Sequence, residues 1–172
     1  RKEARIMKSI KATWFEVTVN YEKRQEDGTE KKVNELYLVD AISCSDAENR
    51  AVEELKPYIS GEFKVKQVKE SSLKEVFFRD EDMDNRWYKV KLAFITINEK
   101  TEQEKRTNYT YLVEATSVNS AIKNIDDVMA GTAIDYNSIA IQETKFVDVF
   151  AREVSDISKP LHRKANSDDV NR

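Results

Sequence analysis

The sequence is poor in the residues that interrupt helices and strands, form disulfides or coordinate metal ions. Its 172 residues include only three glycines, two prolines, one cysteine and one histidine. One cysteine cannot form a disulfide within the chain, and one histidine (His162) leaves neither a Cys/His dyad nor a histidine metal cluster to assemble. The sequence therefore predicts no catalytic residues of those kinds and no metal site, and it contains no long flexible linker.

Long apolar runs are missing as well. No stretch approaches the ~20 apolar residues that a membrane helix needs, and no charged segment followed by an apolar one marks a signal peptide. A glycine-rich phosphate loop is also absent, which removes the usual nucleotide cradles. We therefore expect a cytoplasmic protein in a reducing setting, with no cofactor and no membrane contact.

Charge is abundant but nearly balanced. Charged residues make up 35% of the chain, and the net charge is only -3. The hydrophobic residues, 40% of the total, can supply a core, and no overall basic field recruits nucleic acid. Positive charge is concentrated at the start, where residues 1–13 carry five basic side chains and one acidic side chain.

A repeat organises the rest of the chain. Residues 37–41 (YLVDA) recur as residues 111–115 (YLVEA), 74 positions later. Residues 14–17 (WFEV) likewise match residues 87–90 (WYKV), at an offset of 73. The pattern indicates a tandem duplication of a unit of about seventy residues, a period too long for a solenoid repeat.

Each copy contains the patterns of two strands, a helix and a further strand. Residues 13–21 alternate apolar and polar side chains, Asp27-Gly28 supplies a turn, and residues 33–39 return as the second strand of a hairpin. Ser43 and Ser117 are typical N-caps for the two helices. An extended segment that closes at a Val-Phe pair follows each helix.

We therefore predict an α+β fold of two duplicated β-β-α-β units related by pseudo-twofold symmetry. Each unit should form its own small, mainly antiparallel sheet, with one helix covering one face. The predicted segments are a basic N-terminal arm (1–12), the first unit (13–77), an acidic linker (78–86), the second unit (87–150) and a flexible C-terminal extension (151–172).

The single cysteine fits a structural role better than a catalytic one. Cys44 begins a helical stripe that continues with Ala47, Ala51 and Leu55, and its counterpart in the second copy is Val118. We therefore expect Cys44 to pack against the sheet as a small apolar residue rather than to act as a nucleophile at the helix N-terminus.

The two tryptophans allow two interpretations. Strand alternation places Trp14 and Trp87 on the sheet face opposite the one that the helix covers. Either the two sheets, or two protomers, bury these faces against each other, or an exposed aromatic ring stacks on single-stranded nucleic acid while lysines attract its phosphates. The candidate residues for such a platform are Trp87, Lys89, Lys91, Lys64 and Lys66.

Five segments of the sequence together form a family-like pattern. They are residues 14–17 (WFEV), 37–41 (YLVDA), 59–63 (ISGEF), 86–90 (RWYKV) and 94–96 (FIT). This pattern resembles an uncharacterised domain-of-unknown-function family of Bacteroidetes and their phages. The likeness spans about residues 13–150 and implies a phage or mobile-element origin, but it supplies no activity and no site.

These patterns favour a non-enzymatic binding or accessory protein that docks a macromolecule through sheet faces or edges. The partner would be another protein or a second copy of the chain. The alternative is a single-stranded nucleic-acid-binding protein of phage replication or recombination, which would use the platform and the basic arm. A third hypothesis is an enzyme that uses carboxylates alone, such as Glu70 and Glu143, which the duplication makes equivalent.

Overall fold

Strands predominate in the fold, as the long alternating patterns predict. The computed structural model describes residues 5–9, 13–80 and 84–156. Their elements, in chain order, are β1 (Arg5–Ser9), β2 (Trp14–Arg24), β3 (Glu30–Asp40), α1 (Cys44–Leu55), β4 (Phe63–Glu70), β5 (Glu75–Asp80), β6 (Arg86–Ile97), β7 (Glu104–Ala115), α2 (Val118–Met129), β8 (Asp135–Glu143), β9 (Phe146–Phe150) and β10 (Val154–Asp156). Together these described residues form a mixed α+β fold of two helices and two sheets.

Two long antiparallel hairpins form the frames of the two sheets. β2 pairs with β3, and β6 pairs with β7, over their whole lengths. The first hairpin turns at Gly28, whose φ is +85°, and the Thr29 amide donates a hydrogen bond to Asp27 Oδ1 at 2.9 Å. Glycine suits a positive φ because it has no Cβ to clash with the backbone. The predicted Asp-Gly turn is confirmed.

Both predicted N-caps are confirmed, whereas the predicted packing of Cys44 is wrong. At the start of α1 the Asp46 amide donates to Ser43 Oγ at 3.1 Å, and Ser117 caps α2 in the same way. The buried stripe of α1 begins at Ala47, and Cys44, the first helical residue, is exposed. The helix meets the sheet only after its first residues, so helical periodicity alone placed the stripe one turn too early.

The two sheets exchange strands between the two halves of the sequence. The six-stranded sheet has the order β10-β1-β5-β7-β6-β8, and the four-stranded sheet has the order β4-β2-β3-β9. β5 runs parallel to β7, with Val76 opposite Leu112, and β9 runs parallel to β3, with Val149 opposite Leu38. β5 of the first half therefore joins the sheet that the second hairpin builds, and β9 of the second half joins the sheet that the first hairpin builds. We refer to this reciprocal arrangement as the strand exchange.

The strand exchange differs from the prediction that each unit forms a sheet of its own. The extended segment after each helix is two strands, and only the first of them pairs with its own hairpin. A bend at residues 71–74, and another at residues 144–145, directs the second strand to the other sheet. A buried Val-Phe strand has the same sequence pattern whichever sheet it joins, so the pattern did not specify its neighbour.

Strands also occupy parts of the predicted arm, linker and extension. β1 lies within the predicted arm and pairs with β5, and its Ile6 side chain is buried. β10 lies within the predicted C-terminal extension and pairs with β1. The ends of β5 and β6 take up both ends of the predicted linker. The remaining parts of these segments, residues 1–4, 10–12, 81–83 and 157–172, lie outside the described residues.

Apolar clusters divide the core into layers. One cluster lies between α1 and the four-stranded sheet, and another lies between α2 and the six-stranded sheet. A third cluster joins the two sheets, and we refer to it as the inter-sheet core. Its buried members are Trp14, Leu38, Leu73, Val76, Trp87, Leu112, Phe146 and Val149. The layers therefore follow the order helix, sheet, sheet, helix, which confirms the interpretation that the two sheets bury their tryptophan faces against each other.

Candidate functional site

Trp87 lies in the inter-sheet core rather than on a surface. Its side chain is 5% exposed and meets the Phe78 ring edge-on, with the ring centroids 5.4 Å apart. Trp14 is 3% exposed in the same cluster. A buried indole cannot stack on a nucleic-acid base, so this burial is incompatible with the stacking role that the platform interpretation gives to Trp87.

The four candidate lysines lie in pairs on different sheets. Lys89 and Lys91 belong to β6 in the six-stranded sheet, whereas Lys64 and Lys66 belong to β4 at the edge of the four-stranded sheet. Lys89 is half-buried, with Nζ 5.8 Å from the centroid of the Phe146 ring. The other three are exposed. The lysines of β4 are therefore the pair that an external partner can reach along a strand edge.

The two equivalent glutamates are also separated. Glu70 lies opposite Phe15 in the four-stranded sheet, and Glu143 lies opposite Tyr88 in the six-stranded sheet. Phe15 and Tyr88 both lie on the face of their sheet that a helix covers, and each glutamate shares the face of its partner. The two glutamate side chains are therefore on opposite outer sides of the paired sheets. They do not form the shared pair that acid-base catalysis by two carboxylates requires.

Each exchanged strand leads to an arginine that contacts the helix of the other half. Arg79, near the end of β5, donates from Nη1 to Asn124 Oδ1 in α2 at 2.6 Å. Arg152, shortly after β9, forms an ion pair with Asp46 Oδ2 at the start of α1, at 2.5 Å. Each exchanged strand thus leads to a polar contact with the helix of the half that it joins.

A half-buried carboxylate, that of Glu114, lies beside the first of these contacts. The Arg79 amide donates to Glu114 Oε1 at 2.9 Å, and Asn124 Nδ2 donates to the Glu114 carbonyl at 3.1 Å. Burial raises the pKa of Glu114, and repulsion from Asp148 acts in the same direction, while the bond from the Arg79 amide opposes both. These bonds tie β5, β7 and α2 together, and we assign Glu114 a structural role.

A second polar group, which the sequence analysis missed, surrounds Glu35 on β3. Tyr21 Oη donates to Glu35 Oε1 at 2.5 Å, Tyr37 Oη donates to the same oxygen at 3.1 Å, and Lys23 Nζ lies 3.5 Å from Oε2. Burial raises the pKa of Tyr21 to about 12, and the bond to Glu35 adds to the shift. The only signal in the sequence is that Glu35 and Tyr37 share a strand face, because their contact with Tyr21 depends on the hairpin register.

An open groove lies next to this group. It has a volume of about 590 Å³ and runs between the far end of the first hairpin and the start of β4. Its aromatic lining residues are Tyr21 and Phe63. Its charged lining residues are Glu22, Glu30, Lys32, Glu62 and Lys64. An open groove that combines apolar and charged groups beside a strand edge is suited to recognition rather than to enclosing a substrate.

A comparison with known families covers nearly all of this structure. A family model described as a domain of unknown function, DUF4494, matches residues 13–152, which include both hairpins, both helices and the groove. The chain belongs to the DUF4494 family. The resemblance to a domain-of-unknown-function family over about residues 13–150 is thereby confirmed. No curated protein and no solved structure matches the sequence.

Residues 5–9, 13–80 and 84–156 of this DUF4494 chain contain no group of three or more His, Cys, Asp or Glu side chains that could hold a metal ion. Neither of their helices is long and apolar enough to cross a bilayer. We take the groove at the first hairpin and the adjoining strand β4 as the candidate site of the DUF4494 chain, because this groove lies beside an exposed edge strand.

Glu114→Gln should make the stability of the DUF4494 chain less dependent on pH. Because the pKa of Glu114 is raised above its ordinary value of 4.5, the charged carboxylate opposes folding at pH values above the raised pKa. This effect disappears as the pH falls below 4.5. Relative to the unaltered protein, the variant should therefore gain stability as the pH rises from about 4.5 to about 8, measured by urea unfolding.

Glu48→Gln is the matched control, because Glu48 is an exposed residue of α1. Over the same pH range Glu114→Gln should show the larger gain of the two variants. Equal pH dependence of the two variants would contradict the assignment of a raised pKa to the Glu114 carboxyl group.

Proposed function

We propose that this chain is a non-enzymatic binding or accessory protein that recognises a protein partner at the groove beside β4. The observation that carries the proposal is the position of the groove next to an edge strand, which has a neighbour on one side only among the described strands. An extended polypeptide can pair with such an edge through its backbone and fill adjoining pockets with its side chains. The proposal includes a cytoplasmic setting and a phage or mobile-element origin, which rest on the single cysteine and the family resemblance.

The charge of the groove favours protein over nucleic acid as the partner. Three glutamates and two lysines line it, and the whole chain carries a net charge of -3. A phosphate backbone in the groove would meet Glu22, Glu30 and Glu62 at close range. A polypeptide with both signs of charge can complement such a surface.

The alternative function, binding of single-stranded nucleic acid, has one observation in its favour. Lys64, Lys66 and Lys69 follow one another along the exposed edge strand β4, although Lys69 is paired with Glu16 at 3.7 Å. A row of lysines can track a phosphate backbone. The burial of Trp87 removes the predicted stacking group from this surface.

We also infer that the two halves arose by tandem duplication of a β-β-α-β unit. The Ser71 amide donates to the Trp14 carbonyl at 2.8 Å, and the Thr144 amide donates to the Trp87 carbonyl at 2.8 Å. β4 and β8 both carry a bulge at the same place relative to their hairpins. These matched details support a common ancestor for the halves, and the strand exchange then gives one chain the form of a domain-swapped pair.

A photo-crosslinking amino acid at position 64 tests the proposed protein partner. After irradiation of cells that express the protein, we expect a discrete adduct that resists nuclease and that mass spectrometry maps to one partner sequence. In an extract, an excess of the purified unaltered protein should reduce the adduct at least about 10-fold, because it competes for a saturable site. The control carries the same amino acid at position 42, where Ile42 is 82% exposed and lies away from the groove.

The outcomes separate the two functions. Equal adducts at positions 64 and 42, or no adduct at position 64, would contradict the protein-partner proposal. An adduct that nuclease removes would favour nucleic acid instead. In that case a fluorescent single-stranded oligonucleotide should bind in a salt-dependent manner, and Lys64→Glu with Lys66→Glu should weaken the binding.

A further inference from the structure

The edge strands β4 and β8 occupy corresponding places but differ in charge. Each pairs antiparallel with the first strand of its hairpin, with Glu70 opposite Phe15 and Glu143 opposite Tyr88. Aligned on this register, the β4 sequence FKVKQVKE corresponds to the β8 sequence YNSIAIQE. The three lysines of β4 (Lys64, Lys66 and Lys69) are thus replaced in β8 by Asn137, Ile139 and Gln142.

This difference bears on how each edge is protected. An edge strand presents unpaired backbone donors and acceptors to any other strand, and lysines are a common way to prevent that pairing. β4 has this protection, whereas residues 137–142 of β8 carry no charged side chain, and Ile139 is 45% exposed. A bulge occurs in both strands, so it does not account for the difference. Of these two corresponding edges, β8 is therefore the one without lysines to oppose strand pairing.

We propose that a second copy of this chain pairs its own β8 antiparallel to β8 of the first, about a twofold axis. In such an interface the same surface serves on both sides, so its side chains must tolerate their own copies. Residues 137–142 meet that condition because they are uncharged, whereas two β4 strands would set lysines against lysines. The proposal is independent of the partner groove, which lies on the four-stranded sheet.

The twofold arrangement also fixes the size of the assembly. Pairing along β8 joins two six-stranded sheets and uses the same strand of both copies. This contact therefore closes as a dimer, and the lysines of β4 oppose the same pairing at the corresponding edge of the four-stranded sheet. A contact of one strand buries less than the 1,200–2,000 Å² of a standard interface, so we expect a weak dimer with a Kd on the order of 10 µM.

Sedimentation equilibrium of the full chain at about 1 to 300 µM tests the proposal, a range that brackets the expected Kd. The average mass should rise from 20.0 kDa towards twice that value as the concentration increases. Ile139→Lys gives β8 the residue that β4 has at the corresponding position, and it should raise the Kd at least about 10-fold through repulsion across the interface. Ile42→Lys is the matched control, since Ile42 is exposed and lies outside both sheets, and it should leave the Kd unchanged.

Hydrogen exchange of the unaltered protein provides a second test that needs no substitution. Amides of residues 137–142 should exchange more slowly at high than at low protein concentration, and those of β4 should not. A mass of 20.0 kDa at every concentration would overturn the proposal. So would equal effects of the two isoleucine substitutions, or concentration-dependent protection in β4 instead of β8.

Discussion

Trp87→Ala should lower the free energy of unfolding by about 3–5 kcal/mol, the range typical of removing a large buried aromatic side chain. Trp87 is 5% exposed in the inter-sheet core, where it contacts Phe78 and where residues of both sheets meet. Alanine would leave a cavity in the only layer of apolar contacts that joins the two sheets in the described structure. Urea unfolding monitored by far-ultraviolet circular dichroism measures the loss without relying on the fluorescence of the removed indole.

Tyr58→Ala is the control for this prediction. Tyr58 is also aromatic but is 81% exposed, so its loss should change the unfolding free energy by no more than about 0.5 kcal/mol. Natural domains have a total stability of only about 5–15 kcal/mol, so the two variants should be easy to distinguish. Similar unfolding curves for the two variants would show that the indole is not part of a packed layer.

If the chain is cut between its halves, the two fragments should remain associated under native conditions. A protease site inserted between Asp80 and Asp84 would divide the chain into a piece with β1 to β5 and a piece with β6 to β10. β5 of the first piece lies beside β7 of the second, and β9 of the second lies beside β3 of the first. Separation would break both parallel pairings and open the inter-sheet core. We therefore expect the pieces to co-elute at about 1 µM, which requires an association free energy stronger than about -8 kcal/mol.

Val149→Asp in the cut protein tests whether the strand exchange is responsible. Val149 is 7% exposed and lies opposite Leu38, so an aspartate there would place a charge in the inter-sheet core. The pieces should then separate on gel filtration, whereas the uncut protein with the same insertion should elute as before. Independent elution of the two unsubstituted pieces would contradict the role given to the exchanged strands.

Local features of the fold could be predicted from the sequence because neighbouring residues determine them. The strand alternation, the Asp27-Gly28 turn and the caps at Ser43 and Ser117 depend on residues a few positions apart. The position of the tryptophans on one sheet face could also be predicted, but whether that face is buried or is an exposed platform stayed open between two interpretations. What covers the face is a non-local property, and in the structure it is the other sheet.

The strand exchange was not predictable by the same reasoning. β5 and β9 have similar apolar patterns, and each would bury its side chains equally well in either sheet. The choice depends on the bends that precede them and on how the two hairpins face each other, which no window of the sequence contains. Cys44 shows a similar limit, because helical periodicity gave the right face but not the point at which α1 meets the sheet.

Prediction of the candidate site likewise requires knowledge of how distant segments pack. Lys64 and Lys66 were predicted from their alternation in a strand, and they lie on an exposed edge. The groove beside them was missed because it brings together residues of β2 and β3 with the loop before β4. Trp87 was chosen for its chemistry, but its surroundings in the fold give it a packing role.

The parallel pairing of β3 with β9 has a consequence for the synthesis of the protein on the ribosome. The first hairpin emerges early, but the strand that completes its sheet follows it by more than 100 residues. Until then Trp14 and Leu38 lack their neighbours and expose apolar surface on the nascent chain. Folding of both sheets must wait until β9 has been translated, and a product that terminates before β9 would be a target for chaperones or proteases rather than a smaller working protein.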